Sequence, residues 1–123
     1  MAKSLVLHEE SDCRELIKRI LLENGHEVVA FNEEEEALAW TNSNPVDLAI
    51  VSLEPGIVQS KICQGLKKLS KNLKILVLTT YTNRDLANKA LDQGADDYLL
   101  KPIEIKKLES KLRSIITGKM VMR

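Results

Sequence analysis

The chain has 123 residues, 44% hydrophobic, 29% charged and 3% aromatic, with as many basic as acidic side chains. This is the balance of one soluble globular domain, long enough to bury roughly two thirds of its unfolded surface without disulfide or metal staples. The low aromatic content argues against a stacking platform for single-stranded nucleic acid, and two cysteines, Cys13 and Cys63, form neither a metal spacing nor a disulfide framework.

Charge is spread unevenly. Residues 1–60 carry four Lys/Arg against twelve Asp/Glu, a net −8, and residues 61–123 carry fourteen against six, a net +8. Either the two halves lie side by side and neutralise each other, or the asymmetry marks an interaction face. Met1-Ala2-Lys3-Ser4 leads straight into an apolar run of three residues, too short for a signal peptide or a membrane span. The expected compartment is the cytoplasm.

Leu5-Val6-Leu7 reads as a first strand. Cys13, Leu16, Ile17, Ile20 and Leu21 then fall on one stripe of a helix. Asn24-Gly25 stops it, because glycine takes the left-handed conformation cheaply. Val28-Val29-Ala30-Phe31 is the second strand. Asn32 is expected to cap the second helix, with Glu33, Glu34, Glu35 and Glu36 at the positive end of its dipole. An acidic docking patch is the other reading of that run. Trp40 is a covering residue on this helix, and Asn44-Pro45 ends it.

Leu48-Ala49-Ile50-Val51 forms the third strand, closed by Glu54-Pro55-Gly56. Ile62, Leu66 and Leu69 make the stripe of a third helix, which Gly65 weakens. Ile75-Leu76-Val77-Leu78 is the fourth strand; Leu86, Ala87, Ala90 and Leu91 line the fourth helix, ended by Gly94. Tyr98-Leu99-Leu100 is the fifth strand, and Ile105, Leu108, Leu112, Ile115 and Ile116 mark a last amphipathic helix. Both cysteines fall on helices and are expected to be buried, reduced thiols. His26, just past the Gly25 turn, is expected at the surface.

Strands that are apolar throughout are buried on both faces, which calls for a parallel sheet covered by helices. Five strand–helix units in this length predict an α/β fold, a doubly wound five-stranded parallel sheet with short right-handed crossovers. No repeat, low-complexity stretch or interdomain linker interrupts it. Residues 1–123 read as a single domain with a core over about 3–117, and 118–123 as a tail or the start of a linker.

Ligands of such sheets bind beyond the carboxyl ends of the strands, where strand order reverses. Those ends are His8-Glu9-Glu10, Ser52, Thr79-Thr80 and Lys101-Pro102. No glycine-rich loop follows the first strand, which argues against a dinucleotide or P-loop site. Ser52 and His8 on neighbouring strands match a nucleophile and base in residue type only. No third residue or oxyanion loop accompanies them, so the chain reads as a non-enzyme.

The run Gly94-Ala95-Asp96-Asp97-Tyr98-Leu99-Leu100-Lys101-Pro102 resembles the Gly-Ala-x-x-Tyr-x-x-Lys-Pro signature of response-regulator receiver domains. Leu76-Val77-Leu78-Thr79 and Pro45-Val46-Asp47-Leu48-Ala49-Ile50-Val51 are similar to that family's fourth and third strands in register. The resemblance spans about residues 3–117 and implies the flavodoxin-like (βα)5 fold with strand order 2-1-3-4-5.

Residue by residue, the resemblance implies half a phosphorylation site. The family's metal-holding acid pair falls on His8 and Glu9, and its phosphate-accepting aspartate on Ser52. The hydroxyl after the fourth strand is Thr79, the aromatic switch Tyr98 and the phosphate-contacting lysine Lys101. The peptide before Pro102 is implied to be cis. Pro55 comes one residue earlier than the family's proline, with no Asp-Gly or Asn-Gly after it.

Mg²⁺ wants oxygen ligands in near-octahedral geometry, so its binding is expected to be weak or absent. His8 suits Zn²⁺ or Ni²⁺ better, yet one histidine and one glutamate do not make such a site; no metal or other cofactor is expected. Structural readings stand beside these roles: Lys101 pairs with Glu9 across the vacated pocket, and Tyr98 simply packs.

The function implied is that of a signal-transduction receiver-like domain of a two-component phosphorelay system, working by protein contacts without phosphorylation. The other reading is a true phosphorelay regulator with a non-standard acceptor (Glu9, Glu10 or Glu54) or a partner-driven switch. The family's output face falls on Arg84, Lys89, Tyr98, Lys106, Lys107 and Lys111. Those cations either meet an acidic partner or are merely solvated; a homodimer through the same face is the other partner expected. They lie on no recognition helix, so neither direct nucleic-acid binding nor membrane contact is expected.

Overall fold

A computed structural model describes residues 3–53, 61–80 and 84–117 of the chain. Strands and helices alternate: β1 Lys3–Leu7, α1 Ser11–Glu23, β2 Glu27–Phe31, α2 Glu34–Ser43, β3 Leu48–Ser52, α3 Ile62–Leu69, β4 Lys74–Thr80, α4 Arg84–Asp92, β5 Asp97–Lys101 and α5 Ile105–Thr117. The five strands form one all-parallel sheet in the order β2-β1-β3-β4-β5. The expected doubly wound topology is the observed one.

Residue parity sorts the core into two layers, as the period of two along a strand requires. Leu5, Leu7, Ala49, Val51, Ile75 and Val77 pack with Ala37 of α2, Ile62, Cys63 and Leu66 of α3, and Ala90 of α4. Val6, Leu48, Ile50, Leu76, Leu78 and Leu99 pack with Ile17, Ile20 and Leu21 of α1, and Leu108, Leu112 and Ile115 of α5. Burial on both faces holds for β3 throughout, for all but the first residue of β1, and for all but the two end residues of β4. It does not hold for β2 and β5, which are largely half-buried because each is an edge strand. Gly25 at φ +85° and Gly94 at φ +114° supply the left-handed turns after α1 and α4.

Several local expectations need correction. The cap of α2 is Glu33, not Asn32, and no side chain closes it; Glu34, Glu35 and Glu36 fill the first turn, where the helix dipole favours them. His26 is not at the surface. It is 9% exposed, and its Nδ1 lies 2.9 Å from Ser4 Oγ on β1. Cys13 is only half-buried, and its Sγ donates to the Glu10 carboxylate at 3.0 Å, which with burial holds the thiol above its ordinary value. Cys63 is buried as expected, and desolvation pushes its thiol up to about 12. Trp40 covers the β2 edge, its ring 6.0 Å from that of Phe31 with Lys3 Nζ 5.4 Å from its centroid.

Lys67–Asp96, Lys107–Glu104 and Lys111–Asp97 are ion pairs within the basic half. Glu54, Pro55, Gly56 and the segment 118–123 lie outside the described residues.

Candidate functional site

The parallel sheet brings the residues at the carboxyl ends of β1, β3, β4 and β5 to one edge. Ser52 closes β3 with its Cα paired to Leu78; Thr80 of β4 pairs with Lys101 of β5, which places Thr79 one residue short of that level. His8 follows β1, and its amide donates to the Phe31 carbonyl at 3.1 Å.

Lys101 is the hub of the cluster. Its Nζ donates to Ser52 Oγ at 2.8 Å and lies 3.1 Å from His8 Nε2. His8 is 2% exposed and Ser52 7% exposed, so both contacts are buried at their protein end. The His8 ring is fixed from its other side, where Nδ1 accepts the Glu10 amide at 3.0 Å. Arg14 from α1 donates to the His8 carbonyl at 2.8 Å and so holds the β1–α1 turn in place. One lysine thus reaches both the histidine and the serine.

Glu9 stands apart from this hub. It is exposed, and the ion pair expected between it and Lys101 is not formed; the lysine turns inward to Ser52 and His8 instead. Thr79 is fully buried, and its Oγ1 has no hydrogen-bond partner. A buried hydroxyl left unpaired costs about 1–3 kcal/mol, so Thr79 is an energetically unsettled group at this edge. Tyr98 is half-buried and packs against the core layer under α2, α3 and α4. The Lys101–Pro102 peptide is cis.

A cleft of about 450 Å³ opens beside the cluster, lined by Leu7, His8, Glu9, Asn32, Glu33, Glu34, Glu35 and Ser52. Its floor is formed by the buried His8 and Ser52, and its rim by the acids of the β1–α1 turn and the start of α2. Among the described residues no group of three or more His, Cys, Asp or Glu is placed to hold a metal ion. Sequence reasoning singled out both residues of the floor, and it read the Glu33–Glu36 run as a helix start or an acidic patch without placing it beside His8 and Ser52.

On the opposite flank, Lys89 and Lys106 are exposed, Lys107 pairs with Glu104 at 3.5 Å, and Lys111 reaches Asp97 at 2.8 Å. Arg84 opens α4, but its side chain lies outside the described residues. A second cleft of about 410 Å³ runs along this flank between β5 and the start of α5, with Tyr98, Pro102, Lys107 and Lys111 among its walls.

The fold agrees with what known proteins show. Residues 5–113 match the response regulator receiver domain family. The chain belongs to that family. The two-component response regulator PhoP of Pseudomonas aeruginosa is 34% identical over 115 residues, which cover 93% of this chain and 51% of PhoP. The response regulator MprA of a Mycobacterium species is 31% identical over 91% of this chain and 49% of its own length. The receiver thus spans about half the length of the curated relatives it matches. Among solved structures, a response regulator from Thermotoga maritima superposes with a TM-score of 0.85 at 24% identity, covering 95% of this chain and 98% of that one. A putative response regulator from Chloroflexus aurantiacus gives 0.84 at 28% identity, covering 94% and 98%. Among the described residues no helix is long and apolar enough to cross a membrane.

Proposed function

We propose that this receiver acts without phosphorylation, as a protein-interaction module of a two-component system rather than as a phosphoryl acceptor or an enzyme. The observation that carries the reading is Ser52 at the end of β3, hydrogen-bonded by Lys101 at 2.8 Å. Receivers form an acyl phosphate on a carboxylate at this position, a labile anhydride suited to a reversible switch. A serine hydroxyl offers only a stable ester, and it needs a base to become a nucleophile. The neighbouring group here is a lysine donating to it.

The metal site follows the same direction. Of the positions that hold Mg²⁺ in the family, only Glu9 keeps a carboxylate, and that residue is exposed. An imidazole and a hydroxyl in place of two carboxylates fit a hard, octahedral ion poorly, so no step is assigned to Mg²⁺. Output through α4, β5 and α5 is supported by exposed Lys89 and Lys106, which suit an acidic protein partner or an acidic stretch of a second copy. Lys111 contributes less, being tied to Asp97. Thr79 and Tyr98 remain available to two conformations, and a partner biases them only by its differential affinity for the two.

The curated relatives are response regulators, which keeps a second reading in play: phosphotransfer to another acid, with exposed Glu9 and Glu10 the described candidates. Beryllofluoride, a stand-in for the bound phosphoryl group, separates the two. In amide NMR with Mg²⁺, the wild type and Ser52→Asp are expected to show no saturable shift, because His8 still spoils the metal site. The double variant His8→Asp/Ser52→Asp is expected to respond. A wild-type response would overturn the proposal, and a full response from Ser52→Asp alone would remove His8 from it.

A further inference from the structure

Two stretches of the chain carry charge of one sign only. Residues 20–54 hold eight Asp/Glu and no Lys or Arg, and residues 55–84 hold six Lys/Arg and no Asp or Glu. The fold turns this into a separation in space, between the two ends of the parallel sheet. Glu33, Glu35 and Glu36 follow β2 at its carboxyl end, beside Glu9 and Glu10 after β1, and all five are exposed. At the amino end, Lys68 lies in the last turn of α3, Lys71 in the turn after it, and Lys74 opens β4; all three are exposed. We infer that these are the two sides of one contact, in which the acidic rim of one copy docks on the lysine turn of a second copy, head to tail. This goes beyond the functional reading above and does not depend on it.

Opposite charges close to each pole are already engaged. Behind the acidic rim, Arg14 turns inward to the His8 carbonyl at 2.8 Å. Beside the lysine turn, Asp96 is held by Lys67 at 3.1 Å and by the Ile75 amide at 2.8 Å, and Asp47 accepts the Lys3 amide at 2.9 Å. Glu27, which opens β2, lies three strands from Lys74, roughly 14 Å at about 4.8 Å per strand. The lysines stand on ordered backbone. The Ser70 amide donates to the Leu66 carbonyl at 2.9 Å, the Leu73 amide to Ser70 at 3.1 Å and the Lys74 amide to Asp47 at 3.0 Å. Docking therefore orders side chains rather than a loop, which keeps its entropic cost low. Leu69, 40% exposed, stands among the lysines as an apolar centre for the contact.

Complementarity selects the occupant. A run of acids or a turn of lysines alone names no partner. One chain of zero net charge that carries both, at opposite ends, offers each copy the surface that matches its own. Because the two ends differ, the contact is heterologous. It does not close on itself as a two-fold dimer does, and it adds copies in a line along the strand direction. It is made by exposed charges, so salt weakens it: the screening length falls from about 30 Å at 0.01 M ionic strength to about 8 Å at 0.15 M. None of α4, β5 and α5 takes part, so each copy keeps that flank for another partner.

Sedimentation velocity of the wild-type chain and two neutralised variants is the test. At about 0.01 M ionic strength the wild-type sedimentation coefficient is expected to rise with concentration without levelling at a dimer, and the association constant to fall about tenfold or more by about 0.15 M. Lys68→Gln/Lys71→Gln/Lys74→Gln removes the lysine turn, and Glu33→Gln/Glu35→Gln/Glu36→Gln removes the acidic rim; each alone is expected to stay monomeric. Mixed in equal amounts they are expected to form a 1:1 dimer and nothing larger, since each supplies the one pole that the other has lost. A two-fold contact cannot give that result. If the glutamate variant fails to fold, the salt series and the lysine variant decide. A wild type that is monomeric at low salt, association indifferent to salt, a variant that associates as the wild type does, or a mixture of folded variants that stays monomeric overturns the inference. So does a monomeric wild type that binds duplex DNA or phosphatidylserine vesicles and loses that binding with the three lysines, which would give the turn to another partner.

Discussion

The two ends of the sheet each hold a buried histidine near a serine, and they put those residues to different use. At the amino end, His26 Nδ1 and Ser4 Oγ form a closed pair at 2.9 Å beneath β1 and β2, next to the Asp47 carboxylate that accepts the Lys3 amide at 2.9 Å. At the carboxyl end, His8 and Ser52 are both contacted by a lysine and face a cleft, and the Thr79 hydroxyl on the next strand makes no hydrogen bond. The same residue types meet each other directly at the amino end, whereas at the carboxyl end a charge joins them and a cavity opens beside them. Burial alone does not distinguish the two ends.

That contrast predicts opposite responses to substitution. Ser4→Ala leaves a buried imidazole nitrogen without its partner and is expected to cost about 1–3 kcal/mol in urea unfolding. A neutral result would make the amino-end pair incidental. Thr79→Val removes a buried hydroxyl that makes no bond and is expected to stabilise the protein by about 1 kcal/mol; destabilisation would mean that the hydroxyl is satisfied after all. Ser52→Ala is expected to cost less than about 1 kcal/mol, because Lys101 keeps its His8 contact and is itself only half-buried.

The smallest effect is on pH dependence. Burial holds His26 below its ordinary value of 6.5, while Asp47 opposes that shift. Its folded form resists the proton that its unfolded form accepts. The contribution of His26 to stability is therefore complete above 6.5 and declines as pH falls below it. His26→Gln is expected to flatten that slope in unfolding midpoints measured across the acid side of neutrality. An unchanged slope would assign the effect to other groups.

Much of this was legible in the sequence because the core obeys simple periods. Runs such as Ile75-Leu76-Val77-Leu78 are buried on both sides, and the stripes of α1 and α5 recur at helical spacing. The Gly94–Pro102 run carried the family. What escaped depends on contacts between distant residues. The partner of His26 lies 22 positions away on a neighbouring strand, so the glycine turn before it suggested exposure where packing imposes burial. The inward turn of Lys101 escaped for the same reason: charge matching pointed to Glu9, whereas the strand ends bring Ser52 and His8 within reach and leave Glu9 in solvent.

The central claim is that the carboxyl-end cluster no longer takes up a phosphoryl group. Incubation of the wild-type chain with acetyl phosphate and Mg²⁺, followed by intact-mass measurement, tests it directly. The account predicts an unchanged mass. A stoichiometric gain of one phosphate that hydroxylamine removes would contradict it, since such a labile phosphoryl group is not a serine ester.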